Sequence, residues 1–374
     1  MPDQAEVSTV DGYRGRISEA VRGLGPDAGI GTVWSALGKA GALAGLYPAG
    51  AVDPVRLGAL LRAIDARGDN GITLSVLVQA ASAVPLLGAE AKPDTVLAAV
   101  HDRALAGGTM LALAATDAAA PGSDLAGLGT EIAADGGELR LSGEKRWITS
   151  AGVADELLVL AKHGPGRHFT NFTWVLVPSD APGVRITPSG TSLLAGSATA
   201  HIEFDRVRLD PGRLVGRRGR GLASFALIMG SERLGGALWA VAMTGRVLAD
   251  THERLRRREI DGADLAENAA VRQDLARCLV RVHQLRALAE VVGEDVVAGQ
   301  GFAEGAMLKA AVGPAVDEVL SRCAQLQGAD GYRPGGAQWI RAEAGVFGIG
   351  GGTTELMLEA VADALEPLLG KARS

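Results

Sequence analysis

One carboxylate lies where a carboxylate is costly. Around Glu232, in Ser231-Glu-Arg-Leu234, the residues Phe225, Met229, Gly236, Trp239 and Met243 recur at helical spacing. At about 100° per residue they share one narrow stripe with Glu232. A second stripe, Leu227, Leu234, Leu238 and Val241, lies opposite, so this helix is expected to be central and buried. An acid on an apolar stripe is either paired or functional. The pair would be an arginine of a neighbouring helix.

Two stretches offer complementary chemistry. Thr116-Asp-Ala-Ala-Ala-Pro-Gly-Ser-Asp124 is a loop of small residues whose Ser123 hydroxyl and backbone N–H groups can cradle a phosphate; a plain surface loop has the same composition. Gly143-Glu-Lys-Arg-Trp-Ile-Thr-Ser-Ala-Gly152 puts Trp147 two residues from Thr149. On a strand the two share a face, where a flat indole beside a hydroxyl walls a planar ring; an ordinary core Trp is the alternative. His252 and His283 are isolated, as surface or core histidines are. Arg254 to Arg258, with Glu253 and Glu259, reads mostly as a solvated helix end, Arg258 excepted, and a surface charge is the plain alternative for Lys309.

The elements that must position these residues fall into three zones. Residues 1–108 are rich in Ala, Leu and Gly, with apolar helical spacing over Ile30–Gly45, Asp53–Gly68 and Thr73–Gly88. Residues 109–215 carry short alternating runs, such as 138–142, 170–177 and 200–204, between Gly/Pro turns. Residues 216–374 are helical again, over 221–258, 265–299, 303–327 and 353–369, with a kink expected at Pro314. This segregation predicts an α+β architecture: an N-terminal helical domain, a middle β-barrel-like domain and a C-terminal helical domain.

Composition narrows the function. The 374 residues are 47% hydrophobic and 21% charged, enough for two or three packed units and against general disorder. A net charge of −6 gives no basic field for nucleic acid. Mean hydropathy is +0.17, yet the best apolar run, Val76 to Gly88, reads as too short to span a membrane. The first twenty residues contain acids and no apolar run, so no secretory leader is expected and a cytoplasmic location is. Cys278 and Cys323 make neither a disulfide framework nor a zinc set, and no metal site is expected.

Taken together and in order, the motifs resemble the acyl-CoA dehydrogenase family. That family carries T-E-P-x-x-G-S-D and then G-x-K-x-W-I-T-N. Gly196-Ser-Ala-Thr-Ala-His-Ile-Glu-Phe-Asp-Arg-Val207 is similar to its G-S-x-T-x-x-x-x-F-D-x-V. Gly219-Arg-Gly221, Ser231-Glu-Arg-Leu234, Arg258 with Gly262, Gln325-Leu-Gln-Gly-Ala-Asp-Gly331 and Gly352-Thr-Thr-Glu355 follow collinearly. The departures are Asp117 for Glu, one extra residue in the first loop, Asp261, Ala269 and Ala329.

The resemblance implies a flavoenzyme whose C-terminal domain is a four-helix bundle, with FAD between the β-domain and that bundle. Thr116, Trp147 and Thr149 would contact the flavin, and Ser123 the pyrophosphate. Arg258, Gln325, Gly328 and Thr353 would serve the pyrophosphate and adenosine end across a dimer interface. Glu355 would contact the nucleotide or simply start the last helix, where a carboxylate suits the dipole. Many members place the catalytic glutamate where Gly351 stands here; others place it on the bundle helix, where Glu232 fits. The implied reaction is α,β-dehydrogenation of an acyl thioester of coenzyme A or of an acyl-carrier protein. Electrons would pass to an electron-transferring flavoprotein or oxygen, in a homodimer or homotetramer. The alternatives are a catalytically degenerate subunit of a hetero-oligomer and a flavin-dependent oxygenase on the same fold.

Overall fold

A computed structural model of the chain describes residues 9–372. It has two compact units. The first comprises the residues up to Ala63 together with Gly71–Glu232; the second comprises Ile64–Asn70 and Arg233 onward.

The first unit opens with helices α1 (Val10–Arg22), α2 (Ile30–Lys39) and α3 (Ala42–Gly45), and it holds most of α4 (Pro54–Asp65). Next come α5 (Asn70–Val78), a π turn at Gln79–Ala83, α6 (Val84–Gly88) and α7 (Val96–Leu105). The expected helix over Ile30–Gly45 is broken at Gly41, whose φ is +68°. α1 and α7 lie outside the segments that periodicity picks out.

α5, the π turn and α6 form one stretch, Asn70–Gly88, of 19 residues. By length and composition it could cross a membrane, which corrects the expectation that the apolar run is too short. Its apolar window is 78% buried inside the chain, as in a core helix. Gly71 brings it close to the β-layer, since a Cβ there would sit 2.5 Å from Ser197 N. One turn on, Ser75 Oγ lies 2.9 Å from Ser150 Oγ and donates to Ser197 O at 3.0 Å.

The eight strands are β1 (Leu111–Ala114), β2 (Glu131–Asp135), β3 (Glu138–Ile148), β4 (Glu156–Lys162), β5 (Phe172–Pro178), β6 (Val184–Pro188), β7 (Ala200–Leu209) and β8 (Leu214–Val215). They form one sheet in the order β6-β7-β3-β2-β4-β5-β8, with β1 parallel to β4. The three expected runs are parts of β3, β5 and β7. β4 and the apolar part of β1 were missed because a short continuous apolar run does not distinguish strand from helix. Alternate residues such as Leu139, Leu141, Val159, Val175, Ile202 and Val207 make the core.

α8 (Gly221–Arg256) contributes its first turns to this unit. Trp174 on β5 donates to Gly221 O at 2.9 Å, and its ring stacks on Phe225 with centroids 6.1 Å apart. The expectation that α8 is wholly buried needs correction near its start, where Leu227 is 54% exposed.

The second unit contains the rest of α8, the short ribbon β9 (Glu259–Ile260) and β10 (Ala263–Asp264), α9 (Ala269–Val297), α10 (Phe302–Gln327), α11 (Ala337–Ala344), α12 (Val346–Ile349), α13 (Thr354–Asp363) and α14 (Leu365–Ala372). α10 packs on α9, α11, α12 and α13 and runs unbroken through Pro314. The single expected helix over 353–369 is divided at Ala364. Asp65 ties the 64–70 segment into this unit, accepting from Arg246 Nε at 2.7 Å and from Trp239 Nε1 at 3.2 Å. Lys309 is buried rather than a surface charge, and its ammonium donates to Phe347 O. Cys278 and Cys323 meet as buried free thiols on α9 and α10.

Candidate functional site

The loop after β1 is built around Asp117. Its Oδ1 accepts from Ala119 N at 2.9 Å and Gly129 N at 3.1 Å. Its Oδ2 accepts from Thr130 N at 3.0 Å and Thr130 Oγ1 at 2.6 Å, and faces Lys145 Nζ at 3.3 Å. Lys145 donates also to Ala115 O at 3.0 Å. The residue that departs from the family motif is therefore the staple that closes the Thr116–Thr130 loop. Burial pushes the Lys145 ammonium down to about 8 against the pull of Asp117. Burial pushes Asp117 up, but Lys145 and the bonds from Thr130, Ala119 and Gly129 outweigh it and hold the carboxyl below its ordinary value.

Trp147 is not an ordinary core Trp. It is 59% exposed, with φ +57°. β3 slips register against β7 between Lys145 and Ile148, and this bulge turns the indole outward. The strand ends at Ile148, so Thr149 lies in the turn that follows it rather than on the strand with Trp147. The left-handed backbone at Trp147 is held from outside. Its N–H donates to His201 Nδ1 at 3.2 Å, and the rings meet edge to face with centroids 5.0 Å apart.

Thr116, Ala118, Ala120, Gly122 and Trp147, together with the charged Glu144 and Arg146, help line a cleft of about 540 Å³. That volume falls in the range of about 300–1,000 Å³ for small-molecule sites. Thr116 and Thr149 are half-buried, and among the described residues neither hydroxyl has a hydrogen-bond partner. An exposed indole, unused hydroxyls and a small-residue wall suit a flat heteroaromatic ring, so the residues present fit a flavin. Ser123 is exposed at the loop tip, and Arg167 secures the loop there by pairing with Asp124 at 2.5 Å.

Glu232 is half-buried on α8. The Ser82 hydroxyl donates to Glu232 Oε2 at 2.5 Å. Ser82 lies in the π turn, a feature with a clear cause. Val84 N–H reaches back to Gln79 O, and Pro85 has no N–H to offer. Ala80 O is satisfied instead by the Tyr47 hydroxyl at 2.7 Å. Gln79 clamps β1 with both ends of its amide: Nε2 donates to Leu111 O, and Oε1 accepts from Leu111 N at 3.2 Å. The same turn thus holds Glu232 and the strand that leads to Thr116. Sequence reasoning missed Ser82, Gln79 and His201; for the first two the only signals were polar residues and a proline inside an apolar helix.

The remaining candidates lie in the second unit. Arg258 follows α8, exposed and in no ion pair among the described residues. Gln325 is exposed on the last turn of α10, whereas its neighbour Gln327 is buried between Thr251 Oγ1 at 2.8 Å and Ala337 N at 2.9 Å. Gly328 caps α10 at φ +60°. Thr353 is the N-cap of α13, accepting from Leu356 N at 3.2 Å, and Glu355 is exposed in the first turn. Gly351, at φ +71°, offers only its backbone and accepts from Arg233 Nε at 3.2 Å.

Residues 112–207 match the family model for the acyl-CoA dehydrogenase middle domain, and residues 219–366 match that for the acyl-CoA dehydrogenase C-terminal domain. The acyl-[acyl-carrier-protein] dehydrogenase MbtN of Mycobacterium sp. (strain MCS) is 31% identical over 325 residues, covering 84% of this chain and 80% of the relative. Glutaryl-CoA dehydrogenase from Mycobacterium smegmatis, solved in complex with FADH2, superposes with a TM-score of 0.83 at 20% identity, covering 96% of this chain and 94% of the other. Butyryl-CoA dehydrogenase from Megasphaera elsdenii gives a TM-score of 0.84 at 18% identity, covering 95% and 97%.

Proposed function

Because this chain belongs to the acyl-CoA dehydrogenase family, we propose that it oxidises an acyl thioester across its α and β carbons, with Glu232 as the base. The observation that carries this reading is a half-buried carboxylate on the inner stripe of α8 in a chain whose other family position for the base is Gly351. FAD, when bound, supplies the acceptor for the hydride that leaves Cβ. Glu232 takes the proton from Cα, and the two electrons of that bond become the new C=C. Trp147 offers its face to the ring, with Thr116 and Thr149 as hydroxyl partners. Ser123 faces the pyrophosphate. Arg258, Gln325, Gly328 and Thr353 of a second copy of this chain complete the nucleotide end, with Glu355 at the start of α13 beside them. An arginine fork suits a pyrophosphate.

A carrier-protein thioester is the favoured substrate form, since a relative matched over 84% of this chain and 80% of its own length is named for that activity. An electron-transferring flavoprotein would re-oxidise the enzyme. The test is the absorption spectrum of the purified protein, followed by anaerobic addition of matched acyl groups on carrier protein, coenzyme A and pantetheine. Bleaching of a yellow protein by the carrier-bound form at the lowest concentration is the expected result. A colourless protein that gains activity only with a second, different chain would make it the degenerate subunit that Gly351 also suits.

A further inference from the structure

The π turn at Gln79–Ala83 has no part in the chemistry described so far, yet it presents a buried hydroxyl to the proposed base. Ser82 has no exposed surface, and its Oγ donates to Glu232 Oε2 at 2.5 Å. A charge-assisted bond of that length is strong and directional. The donor is itself held on two sides: Tyr47 secures the Ala80 carbonyl, and Gln79 bonds Leu111 on β1.

We propose that Ser82 is a positioning residue for the reaction: the π turn aims its hydroxyl at Glu232 and fixes the carboxylate in the orientation from which it removes the α-proton. The inference rests on the reading of Glu232 as the base. A carboxylate on a three-bond side chain has several rotamers, and a misplacement of about 1 Å at a reacting group costs about a hundredfold in rate. Gln79 extends the restraint, because it locks the same turn to β1, the strand that leads to Thr116.

The test uses the flavin-loaded enzyme with Ser82→Ala, Ser82→Thr, Glu232→Gln and the Ser82→Ala/Glu232→Gln pair. Ala is a good helix former, so the first variant is expected to fold. Ser82→Ala should lower kcat about tenfold to a hundredfold with KM nearly unchanged, and should raise the isotope effect of α-deuterated substrate. Ser82→Thr should restore most of the rate. Unfolding of the flavin-free chain gives a second readout: the double-mutant cycle should show a coupling between positions 82 and 232.

A wild-type rate in Ser82→Ala while Glu232→Gln is dead would overturn this proposal and leave the base in place. Full activity in Glu232→Gln would remove the base reading, and this proposal with it. A loss in Ser82→Ala that tracks a lower melting temperature and that Ser82→Thr does not rescue would make Ser82 a packing residue only.

Discussion

Lys145 Nζ stands 3.3 Å from Asp117 Oδ2, with both side chains almost wholly withdrawn from water. Removing one partner of such a pair strands the other charge, at a cost of about 3–5 kcal/mol. Asp117→Asn and Lys145→Met should each destabilise the chain by about that much in urea melts. The double replacement should cost far less than the sum. An additive result would mean that the two charges do not depend on each other.

The same pair fixes a pH dependence. Lys145 is brought down from 10.5 to about 8 in the folded chain, so between those values the unfolded chain binds more protons. Stability from this group therefore rises with pH across that window. Asp117 is held below its ordinary value, so its contribution is present above that value and is lost as acid protonates it in the folded chain. Lys145→Met should flatten the alkaline slope of stability against pH; an unchanged slope would contradict the assignment.

Trp147 has its left-handed backbone at φ +57° and its ring 59% exposed. Glycine tolerates that conformation freely. Trp147→Gly should leave the flavin-free unfolding free energy within about 1 kcal/mol of the parent, since little packing is lost. It should weaken FAD binding by roughly tenfold to a hundredfold, the size of a stacking contribution of about 1–3 kcal/mol. Equilibrium dialysis against FAD checks this, and equal affinity would remove Trp147 from the site.

If Arg258 serves the flavin of another copy, two defective chains should repair each other. Trp147→Ala and Arg258→Ala homo-oligomers should both bind FAD poorly. A mixed dimer would hold one site with neither defect, so co-refolding should recover flavin binding in a fraction of sites. No recovery would place Arg258 in its own chain's site or outside the site altogether.

Glu232→Gln should retain the flavin spectrum and reduce turnover by about 10²–10⁴-fold, the usual contribution of a positioned base. Glu232→Asp keeps the acid but withdraws it by one methylene and should fall between the two. Rapid-mixing absorbance during anaerobic reduction separates the three. Equal rates in all of them would move the base elsewhere.

How far the sequence speaks depends on how local the cause is. α8 was legible because its stripe repeats over many turns, and the motif residues around Trp147 because their types are unusual in a chain with 4% aromatics. The direction of the Trp147 ring was not legible, since a bulge depends on pairing with β7 rather than on β3 alone. Ser82 was invisible for a similar reason: its partner lies 150 residues away. Asp117 looked like a defect because its value comes from Lys145 and Thr130, which only the folded loop brings to it. Thr353 and Glu355 show the reverse, local case: an N-cap hydroxyl and a first-turn acid that short-range rules suffice to expect.

The five-residue π turn has one further consequence. Such a turn amounts to a single surplus residue in an α-helix, so it is either present or absent. Deleting that residue would rotate everything before it by about 100° relative to everything after it. Gln79 and Ser82 could then no longer serve Leu111 and Glu232 together. The geometry around the acid thus cannot drift by small amounts through this segment; it changes in one indivisible step.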